Sequence, residues 1–174
     1  MKNIFKSLAM IAIGTAMLGL VACEDTNDDP IDTTETYSES ASYAIIYNGD
    51  AIAAGATLEV HPTIDQVTMD FAAINILLEN KTDGNLETMI KMEKLEGPDE
   101  MNKIMICYGE TCKNPDCPWT SDAFTLTPGI NENMAISFDY TPSKVGNKTV
   151  YRMTVGKAAS LDDAQVILIS ISVQ

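Results

Sequence analysis

Met134-Ala135-Ile136-Ser137-Phe138-Asp139-Tyr140 is the stretch that decides how this chain folds. Met134, Ile136, Phe138 and Tyr140 alternate with Ala135, Ser137 and Asp139. That period of two puts the large side chains on one face of an extended backbone, whereas a helix would space them at 3.6. The C-terminus repeats the pattern: Ile167, Ile169, Ile171 and Val173 alternate with Leu168, Ser170 and Ser172. Both segments read as strands with one buried face.

Reading outward from them, Val150 to Val155 is a strand with Tyr151, Met153 and Val155 on one face. Pro142 and Gly146 punctuate the chain before it, and Ser160 to Ala164, which includes Asp162 and Asp163, reads as a solvated loop. Ala123 to Thr127 and Lys103 to Tyr108 are further strand candidates. Leu86 to Leu95 fits a helix about as well as a strand, and its turn-bounded neighbours favour strand. Asn80 to Asn85, with Asp83-Gly84 inside it, predicts a hairpin loop. Ile74, Ile76 and Leu78 alternate, as do Val67, Met69 and Phe71, and the change of phase near Ala72-Ala73 predicts a bulge or a break. Thr57 to His61 and Tyr43 to Tyr47 complete the set, the latter closed by the turn Asn48-Gly49-Asp50. Seven to nine short strands between residues 43 and 174, with turns between them, predict an all-β antiparallel sandwich.

Charge narrows the partners. The chain has 174 residues, 11 Lys+Arg against 25 Asp+Glu, and a net charge of −14. Such a surface repels phosphate backbones, so no nucleic acid is expected, and it gains nothing from an anionic bilayer by charge alone.

The first 22 residues read as an address. Lys2 and Lys6 precede the uncharged run Leu8–Ala22, which is short for a helix that must cross about 30 Å of hydrocarbon. The run ends in Leu20-Val21-Ala22-Cys23. This resembles the bacterial lipobox, which implies cleavage before Cys23 and acylation of its thiol. Anchoring through acyl chains on Cys23 makes the membrane a partner without a spanning segment. Residues 23–42 then form an acidic segment with no basic residue, which predicts a flexible tether. Within it Glu24, Asp25, Asp28 and Asp29 resemble the acidic export signal of Bacteroidetes surface lipoproteins, and Asp32-Thr33-Thr34 resembles the O-glycosylation motif of that phylum, with Thr33 as acceptor. The resemblance implies an outer-membrane protein facing the cell surface.

With Cys23 acylated, Cys107, Cys112 and Cys117 remain, an odd number in an oxidising compartment. Three arrangements are open. Cys107 pairs with Cys112 across the turn at Gly109, or Cys117 pairs with one of the two, or the three thiols join His61 in a zinc site. Compartment favours a disulfide over metal. The spacing is not Cys-x-x-Cys, so redox catalysis is not expected.

Cys107-Tyr108-Gly109 and Cys112, then Phe124-Thr125-Leu126-Thr127-Pro128-Gly129, Phe138-Asp139-Tyr140-Thr141-Pro142, Gly146 and a final Ile169-Ser170-Ile171 resemble Ig-like modules of exported Bacteroidetes proteins. Cys117 is a departure from that pattern. The resemblance implies an Ig-like sandwich and an exported protein, and no activity.

His61, the single histidine, stands before Pro62 with no nucleophile at a telling spacing, so no catalytic residue is expected and the reading is not an enzyme. Asp99-Glu100 and Asp162-Asp163 lack the spacing of a calcium loop. Met69, Met134 and Met153 occupy strand positions where core filling is the default. No cofactor and no metal is therefore expected. The sequence points to a lipid-anchored module for structural, protein or glycan interaction; the alternative is a lipoprotein that captures haem, metal or glycan for a transport complex.

Overall fold

The computed structural model describes residues 35–61, 71–98, 104–108, 111–139 and 148–172. They contain twelve strands: β1 Tyr43–Tyr47, β2 Asp50–Ala51, β3 Thr57–Val60, β4 Phe71–Asn80, β5 Leu86–Glu96, β6 Ile104–Tyr108, β7 Thr111–Lys113, β8 Trp119–Thr120, β9 Phe124–Leu126, β10 Gly129–Asp139, β11 Lys148–Lys157 and β12 Gln165–Ser172. The count exceeds the expected seven to nine because short edge pieces such as β2, β7 and β8 are too brief to show a period.

The strands form two sheets. Sheet A runs β2-β1-β4-β10-β6-β7, and sheet B runs β3-β12-β11-β5-β8 with β9 also paired to β5. The pairings among the described residues are antiparallel except one: β3 lies parallel to β12, with Leu58 opposite Ile169. The all-antiparallel expectation is corrected at that edge. Alternation along β3 reports a half-buried face but carries no direction.

Where the described residues report on the predicted faces, those faces are buried; Val67 and Met69 lie outside the described residues. Ile74, Ile76 and Leu78 of β4, Met134 and Ile136 of β10, and Ile106 of β6 oppose Met92 of β5, Tyr151 and Met153 of β11, and Ile167, Ile169 and Ile171 of β12. Each such side chain contributes about 1.5–3 kcal/mol of transfer free energy. The ambiguous Leu86 segment is β5, since it pairs along nearly its whole length with β11.

Two local expectations change. The register of β4 on β10 is continuous from Phe71 through Ile76, so no bulge lies at Ala72-Ala73. The irregularity is on β10: Asn131 faces Leu78 and Met134 faces Ile76, so β10 spends one more residue than its partner. Residues 81–85 do not form a hairpin loop; they carry the chain from β4 in sheet A to β5 in sheet B. Asn80 shapes that crossing. Its Nδ2 donates to Gly84 O at 2.8 Å and to Leu126 O at 3.0 Å, and its Oδ1 accepts from Thr82 N at 2.9 Å. The turn after β1 is as expected, with φ positive at Asn48 and Gly49, the geometry of a two-residue hairpin.

Candidate functional site

The β6–β7 hairpin carries Cys107 directly opposite Cys112, and the two are joined in a disulfide. Of the three arrangements open from sequence, the first is the one formed. The bridge pins β7, an exposed three-residue strand at the edge of sheet A. With both sulfurs oxidised, Cys107 and Cys112 cannot serve as thiolate ligands. His61 is exposed at the end of β3, on the side of sheet B away from β8, and β8 is the strand whose Trp119 meets Tyr108 of β6. His61 and the cysteines are therefore on opposite sides of the sandwich.

Cys117 is the free thiol, half-buried and packed against the core beside Trp119. Burial pushes its pKa up to about 11; nearby Lys94 works against that, while Asp116 and Glu93 add to it. The sulfur is held as the protonated, weakly nucleophilic form.

Around the hairpin lies an aromatic cluster that closes one side of the sandwich. Tyr108 sits between Phe124 and Trp119, with ring centroids 5.0 Å and 6.2 Å away and both pairs tilted. Next to it opens a cleft of about 80 Å³ lined by Leu78, Tyr108, Phe124, Thr125, Leu126, Asn131 and Met134. Asn131, one of the lining residues, is held in place, donating to Thr127 O at 2.9 Å and Gly129 O at 3.0 Å and accepting from Thr127 Oγ1 at 2.9 Å. Ile130, beside it, is 55% exposed.

A second polar assembly joins residues 35–42 to the sandwich. The composition of this stretch matches the acidic tether, yet it is packed: Ser40 and Ser42 are buried. Ser40 Oγ lies within hydrogen-bond distance of Asp163 O and Oδ1, Ala41 N donates to Asp163 Oδ1 at 2.6 Å, and Ser42 Oγ donates to Asp163 Oδ2. Ser40 N donates to Gln165 Oε1 at 3.0 Å, and Lys81 Nζ donates to Ser40 O. Upstream, Arg152 Nη1 reaches Glu35 Oε2 at 2.6 Å while its Nε donates to Glu93 Oε2 at 3.0 Å. Tyr37 packs on Gly55, where a Cβ would lie 2.6 Å from the ring. The packed domain thus begins by residue 35 rather than 43. Asp163 is likewise more than a solvated loop charge. Partial desolvation disfavours its ionised form, but the donors of Ser42, Ala41 and Ser40, with Lys157 nearby, outweigh this and hold its carboxyl below the usual range.

Cys23, Glu24, Asp25, Asp28, Asp29 and Thr33 lie outside the described residues, as do Met69, Asp99-Glu100, Tyr140 and Val173. Among the described residues no three His, Cys, Asp or Glu side chains gather as metal ligands. Sequence reasoning missed the Asp163 assembly and the cleft, because both join segments far apart in the chain.

No protein-family model and no curated protein sequence matches the chain. Solved structures do. The N-terminal domain of PorA superimposes with a TM-score of 0.58 at 11% identity, over 76% of this chain and 97% of that one. A FixG-related protein from Vibrio parahaemolyticus gives 0.44 at 12% identity over 79% and 99%. The PapD-like domain 7 of human CEP192 gives 0.38 at 13% over 81% and 89%. At these identities the likeness is one of fold. The described residues build an Ig-like β-sandwich.

Proposed function

We propose that this chain is a non-enzymatic lipoprotein, held by acyl chains on Cys23 to the outer membrane and facing the cell surface, that presents an Ig-like domain for interaction with a protein or glycan. The observation that carries the interaction reading is the cleft beside Tyr108 and Phe124. Its volume of about 80 Å³ is well below the 300–1,000 Å³ of small-molecule pockets and suits a single inserted group. Met134 is part of its lining, the feature a haem- or metal-capturing lipoprotein would use, but the space is too small for a haem, and interaction is the better-supported reading. The lipid anchor and the export signal rest on the sequence from Lys2 to Asp29.

Two experiments test this. Cys23→Ser is expected to move the protein from the membrane fraction to the soluble envelope fraction; retention in the membrane would remove the anchor. Protease shaving of intact cells, with lysed cells as control, is expected to destroy the domain on intact cells. Protection until lysis would place it inside the envelope and remove the surface assignment.

A further inference from the structure

The Cys107–Cys112 bridge joins two neighbouring strands of sheet A and does not tie one sheet to the other. Cys107 is half-buried, while Cys112 and its neighbours Thr111 and Lys113 are exposed. Ile106 and Tyr108, on either side of Cys107, belong to the buried core, so alternation puts the bridge on the outer face of the sheet. The two Cα atoms are 4.0 Å apart, the short spacing of a pair that exchanges no backbone hydrogen bonds. The ladder bonds of the hairpin therefore fall to the pairs beside it, Ile106 with Lys113 and Tyr108 with Thr111.

Among the described residues little else holds β7. None of its side chains belongs to the buried core. Lys113 and Asp122 stand 3.9 Å apart and both are exposed, a geometry that contributes almost nothing in water. A hairpin arm this short is marginal without its cross-link. The unit that the bridge restrains ends at Pro115, whose carbonyl accepts from Ile104 N at 3.3 Å.

The third thiol is kept out of the exchange. Cys117 is half-buried against the core and held protonated by a pKa of about 11, so it is a poor attacking group. An external dithiol meets no such barrier at the exposed Cys112. One of its thiolates attacks Cys112 Sγ, and Cys107 Sγ leaves as a thiolate. The second thiol of the reagent then closes a disulfide with the first and releases Cys112. Two electrons pass from the dithiol to the bridge, and the reagent's two protons end on Cys107 and Cys112.

We infer that the Cys107–Cys112 bridge is a redox-sensitive latch on the edge of sheet A, opened in the folded protein by an external dithiol. Oxidised, it holds β7 on β6. Reduced, it frees Thr111–Lys113 and takes those partners from the backbone of Ile106 and Tyr108. Tyr108 links the latch to the cleft. It pairs with Thr111 on one side and Met134 on the other, and its ring stands against Phe124 and Trp119. The latch thus controls one wall of the cleft, and it stands whatever that cleft binds.

The test treats the full chain in native buffer with dithiothreitol, then labels thiols with a maleimide and maps them by mass spectrometry. Labels are expected on Cys107 and Cys112, with Cys117 unlabelled until denaturant is added. Reduction should strip amide protection from Thr111 and Lys113 while β4, β11 and β12 stay protected, and reoxidation should restore it. Emission from Trp119, the single tryptophan, should change in step with reduction. Cys107→Ser with Cys112→Ser should show the freed hairpin with or without dithiothreitol. A bridge reduced only when denaturant unfolds the sheets would overturn the latch, as would full protection of Thr111 and Lys113 after reduction. Trp119 emission that ignores reduction would remove the link to the cleft. Slower reduction in Cys117→Ser would overturn the isolation of the third thiol.

Discussion

Ser40 and Asp163, 123 residues apart in sequence, meet where the chain enters the sandwich: Ser40 Oγ lies 2.8 Å from Asp163 O and 3.0 Å from its Oδ1. The same carboxylate holds Ala41 N and Ser42 Oγ. One side chain in the β11–β12 turn therefore orders the start of the domain.

Removing that carboxylate should free the entry segment. Asp163→Ala is expected to cost about 1–2 kcal/mol through lost hydrogen bonds to a charged acceptor. It should accelerate amide exchange at Ser40–Tyr43 while β10 and β12 stay protected. The carboxyl is held below its usual range in the folded chain. Its contribution is thus present above the ordinary carboxylate pKa and is lost as the pH falls through the lowered folded value. Protection factors at Ser40–Tyr43, that is exchange relative to the intrinsic rate at each pH, should fall between about pH 5 and pH 2 in the wild type and stay flat in Asp163→Ala. A flat wild-type profile would contradict the role.

The Cys107–Cys112 bridge closes a short loop, with a sequence separation of 5. Chain entropy then gives about 2 kcal/mol. Cys107→Ser with Cys112→Ser should lower the thermal midpoint by several degrees, and reductant should reproduce the shift in the wild type. An unchanged melting curve would argue that the bridge contributes nothing to stability.

Cys117 should be slow to react. With its pKa pushed up to about 11 by burial, only about one thiol in a thousand is ionised at pH 8. Labelling by iodoacetamide at pH 8 is expected to be more than tenfold slower than for a free cysteine, and to become fast in denaturant. Rapid stoichiometric labelling of the native protein would contradict the burial.

Asn80 is 1% exposed and donates to both Gly84 O and Leu126 O. Asn80→Ala leaves the buried Leu126 carbonyl without this donor and should cost about 2–3 kcal/mol. Asn80→Asp should do no better, because a carboxylate cannot donate. Chemical denaturation of the two variants checks this, and wild-type stability in Asn80→Asp would overturn the account.

The two-residue period carried most of the fold. Ile74, Ile76, Ile136, Tyr151, Met153, Ile167 and Ile169 were readable as one buried face, and each is at most 1% exposed. What alternation could not show is which sheet a strand joins or in which direction. The parallel β3–β12 pair and the crossing after Asn80 went unread for that reason. Edge strands of two or three residues, such as β2 and β8, contain too little pattern to recognise. The pairing of Cys107 with Cys112 was one of three open choices until the hairpin register placed them opposite each other. Ser40 and Ser42 looked like linker residues because their burial depends on Asp163, Gln165 and Lys81, none of which is near in sequence.

The entry segment also sets how the domain meets mechanical load. Tension arriving along the chain ahead of Glu35 falls first on the solvent-accessible Arg152–Glu35 ion pair and the Tyr37–Gly55 contact. It passes next to the cluster of bonds on Asp163 and Gln165, and only then to Tyr43 in β1, which is fully buried. These outer links part in series and lengthen the chain before any strand of the sandwich is pulled. Residues 35–42 thus form a sacrificial shock absorber that would yield, under a pull from the N-terminal side, before the sheets do.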